Sequence, residues 1–207
     1  MRKMSEQDME TLIDTYYELK KKVQNKNFVK EIRESKDFEY LAEIILHRMA
    51  FKDVEREVSN SEFYRTHDLD KIAVTVAMGK DTARKLHKKF ALHHSDILDI
   101  KDNEQALEEK IIDYECCRYT KLDAPNTSFE YVEMQEKEKQ DILMPVVIKL
   151  GLYGKRKQEG TLTIEKYNKL VKSITDKMID SEITDACMYM EEIKDECEKE
   201  IDNRLRA

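Results

Sequence analysis

Apolar residues recur about every three or four positions along most of the chain, which is the spacing that gives an α-helix one apolar face. The first such segment spans about residues 5–24 and begins at Ser5, a residue type that caps helices. Its apolar positions are Met9, Leu12, Ile13, Tyr16 and Leu19. The pattern predicts an all-α protein.

The same spacing predicts further helices along the rest of the chain. They cover about residues 28–32, 37–51, 67–79, 81–94, 103–122, 128–150, 163–179 and 181–205. Polar residues 53–62 are predicted to form a loop or a short helix. Ser128 is expected to cap the helix 128–150, and Pro145 is expected to kink or break it.

The segment from Ile72 to Val76 is rich in β-branched residues, which also favour a β-strand. Gly79, however, is a natural end for a helix, and Asp81 can cap the next helix. We therefore predict one helix on each side of Gly79.

Turn signals suggest how these helices are grouped. The string DAPNTS at 123–128 is the clearest turn, and GLYGKRKQEG at 151–160 is the best linker. We predict a helical domain at 1–153 and a C-terminal helical extension at 154–207. The apolar stripes of the extension pack on the domain or form a homodimer surface, and packing within the chain is the more common use of such stripes.

Composition supports this architecture and narrows the function. Gly (4) and Pro (2) are scarce and 39% of residues are charged, which favours long solvent-facing helices. A net charge of -7 argues against a general nucleic-acid binder. The chain has neither a membrane-length apolar run nor an apolar leader segment, so we expect a cytoplasmic protein. The four cysteines form no CxxC pair and are expected to be reduced, partly buried thiols.

The histidines are strongly clustered along the chain. All five lie between residues 47 and 94, spread over three predicted helices: His47, His67, His87, His93 and His94. Each histidine taken alone is more often a satisfied core residue than a ligand. Together they indicate a shared chemical role, for which metal binding is the leading hypothesis.

His67 and Asp68 are adjacent at a predicted helix start, where both side chains can reach one point. Imidazole nitrogen and carboxylate oxygen are both good ligands for divalent ions. His47 from the preceding helix and Asp113 from a later helix would complete a set of four. Such a set leaves coordination positions open for water and substrate.

His87, His93 and His94 could hold a second ion, with Asp68 bridging the two metals. In a continuous helix His87 and His94 share a face, whereas His93 points about 100° away. We therefore rank His87 and His94 above His93. A helix end near Leu92 would instead turn His93 inward.

The order His47, His67-Asp68, Asp113 resembles the HD-domain superfamily of metal-dependent phosphohydrolases. The resemblance implies an HD-like helical bundle in which these residues surround a divalent metal, and in which added histidines hold a second metal. The string HDLDK at 67–71 also looks like the HDxxK variant. By that resemblance, Lys71 faces the substrate phosphate or the bridging water.

A closer resemblance is to an uncharacterised family of small HD-like proteins common in bacteria and their phages. Its members read approximately HDLSK, then a histidine, then a His-His pair, then an aspartate in the following helix. Here the corresponding residues are HDLDK at 67–71, His87, His93-His94 and Asp113. The resemblance covers about residues 40–135.

These observations lead to one hypothesis and two alternatives. The first is a metal-dependent phosphohydrolase that uses one or two divalent ions (Mn, Mg, Fe, Co or Zn) on a nucleotide or other small phosphate ester. Asp68, Lys71 and Arg118 are its candidate catalytic residues, with Glu115 orienting a histidine. The alternatives are a non-catalytic protein that binds a nucleotide or a host protein on the same scaffold, and an HD-type di-iron oxygenase.

Overall fold

The computed structural model of the chain describes residues 4–122, 126–156 and 162–206. These residues form α-helices and short 3-10 helices and contain no strand, so the predicted all-α class is confirmed. The helices are α1 (Glu6–Val23), α2 (Phe28–Arg33), α3 (Phe38–Val58), α4 (Leu69–Met78), α5 (Lys80–Phe90), α6 (Glu104–Thr120), α7 (Ser128–Glu133), α8 (Lys137–Lys149), α9 (Ile164–Ser173) and α10 (Asp176–Arg206). The 3-10 helices are Phe63–Arg65, Leu92–His94 and Leu98–Ile100.

The chain forms two compact units, each assembled from separate stretches of sequence. The first consists of residues 1–45, 66–90 and 173–207, and the second of residues 46–65 and 91–172. The stretch predicted as a C-terminal extension is thus divided. Helix α10 belongs to the first unit, and α9 belongs to the second except for its last residue.

In the first unit, α10 packs against α1 and α4. Ser5 caps α1 as predicted, because its hydroxyl accepts a hydrogen bond from the backbone N–H of Asp8. Each fully buried aliphatic side chain here stabilises the fold by roughly 1.5–3 kcal/mol. The buried apolar residues include Met9, Leu12, Leu19, Leu41, Ile45, Ile72, Ile179, Ile183 and Met190.

In the second unit, the later part of α3 packs with α6, α7 and α8 around one apolar core. That core includes Phe51, Ile97, Ile111, Ile112, Phe129, Leu143, Val147 and Leu152. Helix α7 begins with a reciprocal cap between Thr127 and Glu130. Thr127 therefore caps this helix, whereas Ser128 was predicted to cap it. Helix α9 carries no buried side chain.

Several predicted boundaries are wrong, including the one between the helices predicted at 163–179 and 181–205, which end and begin at Ser173 and Asp176. Helix α3 continues to Val58, because Glu55 is buried and accepts the backbone N–H of Phe63 at 2.7 Å. The predicted helix 128–150 is two helices, and Pro145 lies inside the second of them. Helix α5 ends at Phe90, since the next residue has extended backbone angles.

Other expectations from composition can be compared directly with the structure. All four cysteines have free thiols, and three of them are buried, as expected: Cys116, Cys117 and Cys197. Among the described residues, every helix is too short or too polar to cross a membrane.

Candidate metal-binding residues

Asp68 is placed by an unusual backbone conformation at the start of α4. Its φ of 58° and ψ of 9° lie in the left-handed region, and it is the one non-glycine residue with positive φ in the described chain. Aspartate tolerates this region better than most residues, but the conformation still costs free energy. Strained residues of this kind concentrate at functional sites.

Asp68 and His87 meet inside the first unit, and both are 2% exposed. Nε2 of His87 lies 3.0 Å from Oδ1 of Asp68, yet Oδ1 makes no hydrogen bond within the described residues. A proton on Nε2 would make this contact an ion pair, and a divalent ion can take the place of that proton. The two atoms together therefore fit a shared cation.

Asp70, two residues after Asp68, binds the other nitrogen of the His87 ring. Nδ1 of His87 donates to Oδ2 of Asp70 at 2.8 Å, and Asp70 is also buried. A carboxylate on the far nitrogen is the usual arrangement for a metal-ligating histidine, because it fixes the tautomer and the ring orientation. It leaves Nε2 as the nitrogen that faces Asp68.

Lys71 binds the second carboxylate oxygen of Asp68. Its ammonium donates to Oδ2 at 2.7 Å, and its side chain is only 13% exposed. Burial opposes ionisation of Asp68, but the positive charges of Lys71, His67 and His87 hold the pKa of that carboxyl well below its usual value. Asp68 is therefore an anion, which is the form that binds a metal.

The carboxylates of Asp70 and Asp68 change the pKa of His87. Burial favours the neutral ring, but Asp70 and Asp68 outweigh it and raise the pKa of His87 from 6.5 to about 9. His67 is also buried, and its Nε2 lies 3.9 Å from Oδ1 of Asp68. Two imidazole nitrogens thus approach one carboxylate oxygen within this unit.

A further cation lies near this group. The guanidinium of Arg84, which is exposed on α5, sits 4.8 Å above the ring of half-buried Tyr40. Burial raises the pKa of Tyr40, whereas the charge of Lys71 lowers it and the charge of Asp68 raises it, so the phenol lies within electrostatic reach of both. Lys71 and Arg84 therefore surround Tyr40 with positive charge.

The second unit contains another buried imidazole–carboxylate pair. Nε2 of His47 on α3 lies 2.8 Å from Oδ1 of Asp113 on α6. Nδ1 of His47 lies 3.3 Å from the hydroxyl of Thr120, which is two turns beyond Asp113 on α6. The thiol of Cys116 lies 3.7 Å from each ring nitrogen of His47. These buried His, Asp and Cys groups could hold a metal ion.

His93 and His94 differ in burial, as expected if α5 ends before them. His93 is 3% exposed, and its Nδ1 lies 3.1 Å from Oε1 of Glu109. The buried ammonium of Lys110 holds the segment by donating to the carbonyls of His93 and Ser95. His94 is exposed, and its ring lies 4.4 Å from the ring of His93 at a tilt of 49°. The ranking of His94 above His93 as a metal ligand stays a prediction, although the continuous helix that it assumed ends at Phe90.

Arg118 and Glu115 are engaged with each other. Nη2 of Arg118 lies 2.6 Å from Oε1 of Glu115, whose Oε2 accepts hydrogen bonds from the backbone N–H and hydroxyl of Ser128. The sequence analysis expected Glu115 to orient a histidine, and that expectation is wrong. The catalytic role of Arg118 stays a prediction. In the structure its side chain forms an ion pair with Glu115, and Glu115 in turn binds Ser128 at the start of α7.

Each unit, taken by itself, brings some of the predicted residues together. The first unit brings together His67, Asp68, Lys71 and His87, and the second brings together His47 and Asp113. That one ion is shared by His47, His67, Asp68 and Asp113 stays a prediction from the sequence. The residues that hold the histidine rings were missed: Asp70, Glu109 and Thr120. Helical spacing could have indicated Glu109 and Thr120, which lie four before and seven after Asp113 on one face of α6.

Comparison of the chain with protein-family models, with curated proteins and with solved structures finds no match. The likeness to the HD-domain superfamily therefore stays a prediction from the sequence.

Proposed function

We propose that this protein is a metal-dependent phosphohydrolase that acts on a nucleotide or another small phosphate ester. One observation supports this proposal most directly. Asp68 is buried and ionised, one of its oxygens faces the His87 ring, and the other is bound by Lys71. In this arrangement the carboxylate and the imidazole can bind a cation, and the lysine can bind a phosphate anion.

The residues present fit a divalent ion. Asp68 and His87 are the leading ligands in the first unit, with His67 beside them, and His47 and Asp113 are the leading ligands in the second. We extend the proposal to His93, which is buried, and more weakly to exposed His94. A divalent metal supplies two things in phosphoryl chemistry, a lowered pKa of bound water and neutralisation of phosphate charge.

The residues of the chain itself have separate tasks in this proposal. Asp70 keeps the proton on Nδ1 of His87, so that Nε2 can serve as a ligand. Lys71 holds Asp68 in place and offers positive charge to the phosphate oxygens as negative charge develops on them. Arg84 is one of several exposed cations on α5, and in this proposal it attracts an anionic substrate to this side of the helix.

The test is a screen of metals against phosphate esters. Protein stripped of metal and reloaded with Mn, Mg, Fe, Co or Zn should release phosphate from at least one nucleotide or nucleotide-like ester. Asp68→Asn should lose both bound metal and activity, whereas Asp81→Asn, an exposed acid in the first turn of α5, should lose neither. Metal analysis of the purified protein gives the number of ions per chain and so tests the shared-ion hypothesis.

The screen also decides between the alternatives. Metal-loaded protein that is inert toward the whole panel would overturn the proposal. Stoichiometric nucleotide binding without turnover would favour the non-catalytic binding protein. A visible absorption band in aerobically purified, iron-loaded protein would favour the di-iron oxygenase.

A further inference from the structure

One buried thiol has a position that the proposed function does not use. Cys116 is fully buried in the second unit, three residues after Asp113 on the same face of α6. Its sulfur, a nitrogen of His47 and a carboxylate oxygen of Asp113 all lie within 4.8 Å of one another. We propose that Cys116 is a metal ligand together with His47 and Asp113.

The separations fit a tetrahedral ion of the size of zinc. With metal–sulfur bonds of about 2.3 Å and metal–nitrogen and metal–oxygen bonds of about 2.0 Å, neighbouring ligand atoms lie about 3.6 Å apart for S and N and about 3.3 Å apart for N and O. Sγ of Cys116 already lies 3.7 Å from Nε2 of His47. The His47–Asp113 pair, at 2.8 Å, would have to open by about 0.5 Å, which corresponds to replacing the hydrogen bond with an ion.

The surroundings of the thiol hold it in this position. The S–H of Cys116 donates to the backbone carbonyl of Asp113 at 3.1 Å, one turn earlier on α6. Thr120 on the next turn contacts Nδ1 of His47 and so steadies the ring. Binding of a divalent ion would release the thiol proton, because the thiolate is the form of cysteine that binds metals.

A thiolate changes which metal the site prefers. Mg²⁺ prefers oxygen ligands, whereas a set of one nitrogen, one oxygen and one sulfur suits Zn²⁺ and Co²⁺. Three protein ligands leave one position open, as in catalytic rather than structural zinc sites. The inference rests on the proposed function in one respect only, namely that His47 and Asp113 are metal ligands, and it does not depend on hydrolysis.

The chain offers a matched control, because Cys117 is adjacent, buried and on the same helix. Metal-free protein kept reduced with a non-thiol reductant is titrated with Co²⁺. Wild type and Cys117→Ser should develop a sulfur-to-cobalt charge-transfer band in the near ultraviolet, and Cys116→Ser should not. Zinc affinity, measured by chelator competition, should fall by more than about tenfold in Cys116→Ser alone.

A band that persists in Cys116→Ser, or Co²⁺ binding to wild type without a band, would overturn the inference. If Cys116→Ser does not fold, X-ray absorption of zinc-loaded wild type decides instead, because a sulfur neighbour at about 2.3 Å is then required. Phosphate release is measured on the same samples. Hydrolysis with only N and O neighbours at the metal refutes the role of Cys116 alone, whereas sulfur-bound metal without hydrolysis refutes the phosphohydrolase alone.

Discussion

Asp70 accepts a hydrogen bond from Nδ1 of His87 at 2.8 Å, and this contact determines which nitrogen of the ring faces Asp68. Asp70→Asn keeps the size of the side chain but replaces the anion with a neutral amide. We expect the affinity of the first unit's site for Zn²⁺ or Mn²⁺ to fall about 10–100-fold, the usual effect of losing a carboxylate behind a ligating histidine. Chelator competition measures it, with Asp81→Asn as the control, and equal affinities in both variants would contradict this role.

Arg84 and Lys85 are neighbouring exposed cations on α5, and Arg84 is the one that stacks on Tyr40 near Lys71. If Arg84 attracts the phosphate group, Arg84→Gln should raise KM for the active ester about tenfold, which is the effect of losing one charge-assisted contact, with kcat nearly unchanged. Lys85→Gln should leave KM within about twofold of wild type, because exposed charges without a defined partner contribute little. Steady-state kinetics of the three proteins decide, and a shared change in KM would show only the effect of net charge.

The stability of metal-stripped protein should depend on the ionisation of His87. Its folded-state pKa of about 9 lies above the ordinary 6.5, because Asp70 and Asp68 favour the charged ring despite burial. The stabilisation is therefore fully present below about pH 6.5 and is lost as the pH rises through about 9. The shift corresponds to about 3 kcal/mol of unfolding free energy.

Urea unfolding of wild type and His87→Gln at a series of pH values isolates this contribution, since all other groups titrate in both proteins. The difference in unfolding free energy between the two should shrink between about pH 6.5 and about pH 9. The charges that act on the ring are those of Asp70, Asp68 and Lys71. Parallel pH profiles for the two proteins would show that the ring is not held as an imidazolium.

Gly79 ends α4 in a conformation that other residues avoid. Its φ of 91° and ψ of 164° lie in a region used almost only by glycine, and an added Cβ would lie 3.2 Å from a carboxylate oxygen of Asp37. Gly79→Ala should therefore lower the unfolding free energy by about 1–3 kcal/mol. Gly151→Ala, with φ of 68° and no atom within 4 Å of the added Cβ, should cost less. Equal losses in urea unfolding would show that the contact with Asp37 adds nothing.

The sequence was sufficient for the helical class and for several element boundaries, because these depend on local patterns. Gly79 correctly separated α4 from α5, and Ser5 correctly marked the start of α1. Helix α3 was predicted too short, since Glu55 looks like a loop residue until its hydrogen bond to the backbone of Phe63 is known. Long-range contacts of this kind leave no mark on local periodicity.

The candidate site, like the fold, could be predicted only where local sequence was sufficient. That His67, Asp68 and His87 could hold a metal ion follows from residue type alone, because imidazole and carboxylate are general metal ligands. Which of the adjacent residues His93 and His94 is buried depends on where α5 ends, and α5 ends at Phe90 rather than at residue 94 as predicted. The thiol of Cys116 gave no signal, since buried cysteines are common and its neighbour His47 is far away in sequence.

The left-handed backbone of Asp68 has a consequence for the order of events in metal uptake. The main chain aims this carboxylate, and Lys71 and His87 contact it. The conformational cost of positioning Asp68 therefore belongs to folding and not to binding of the proposed ion. Metal association in the first unit should accordingly proceed with little change in helix content.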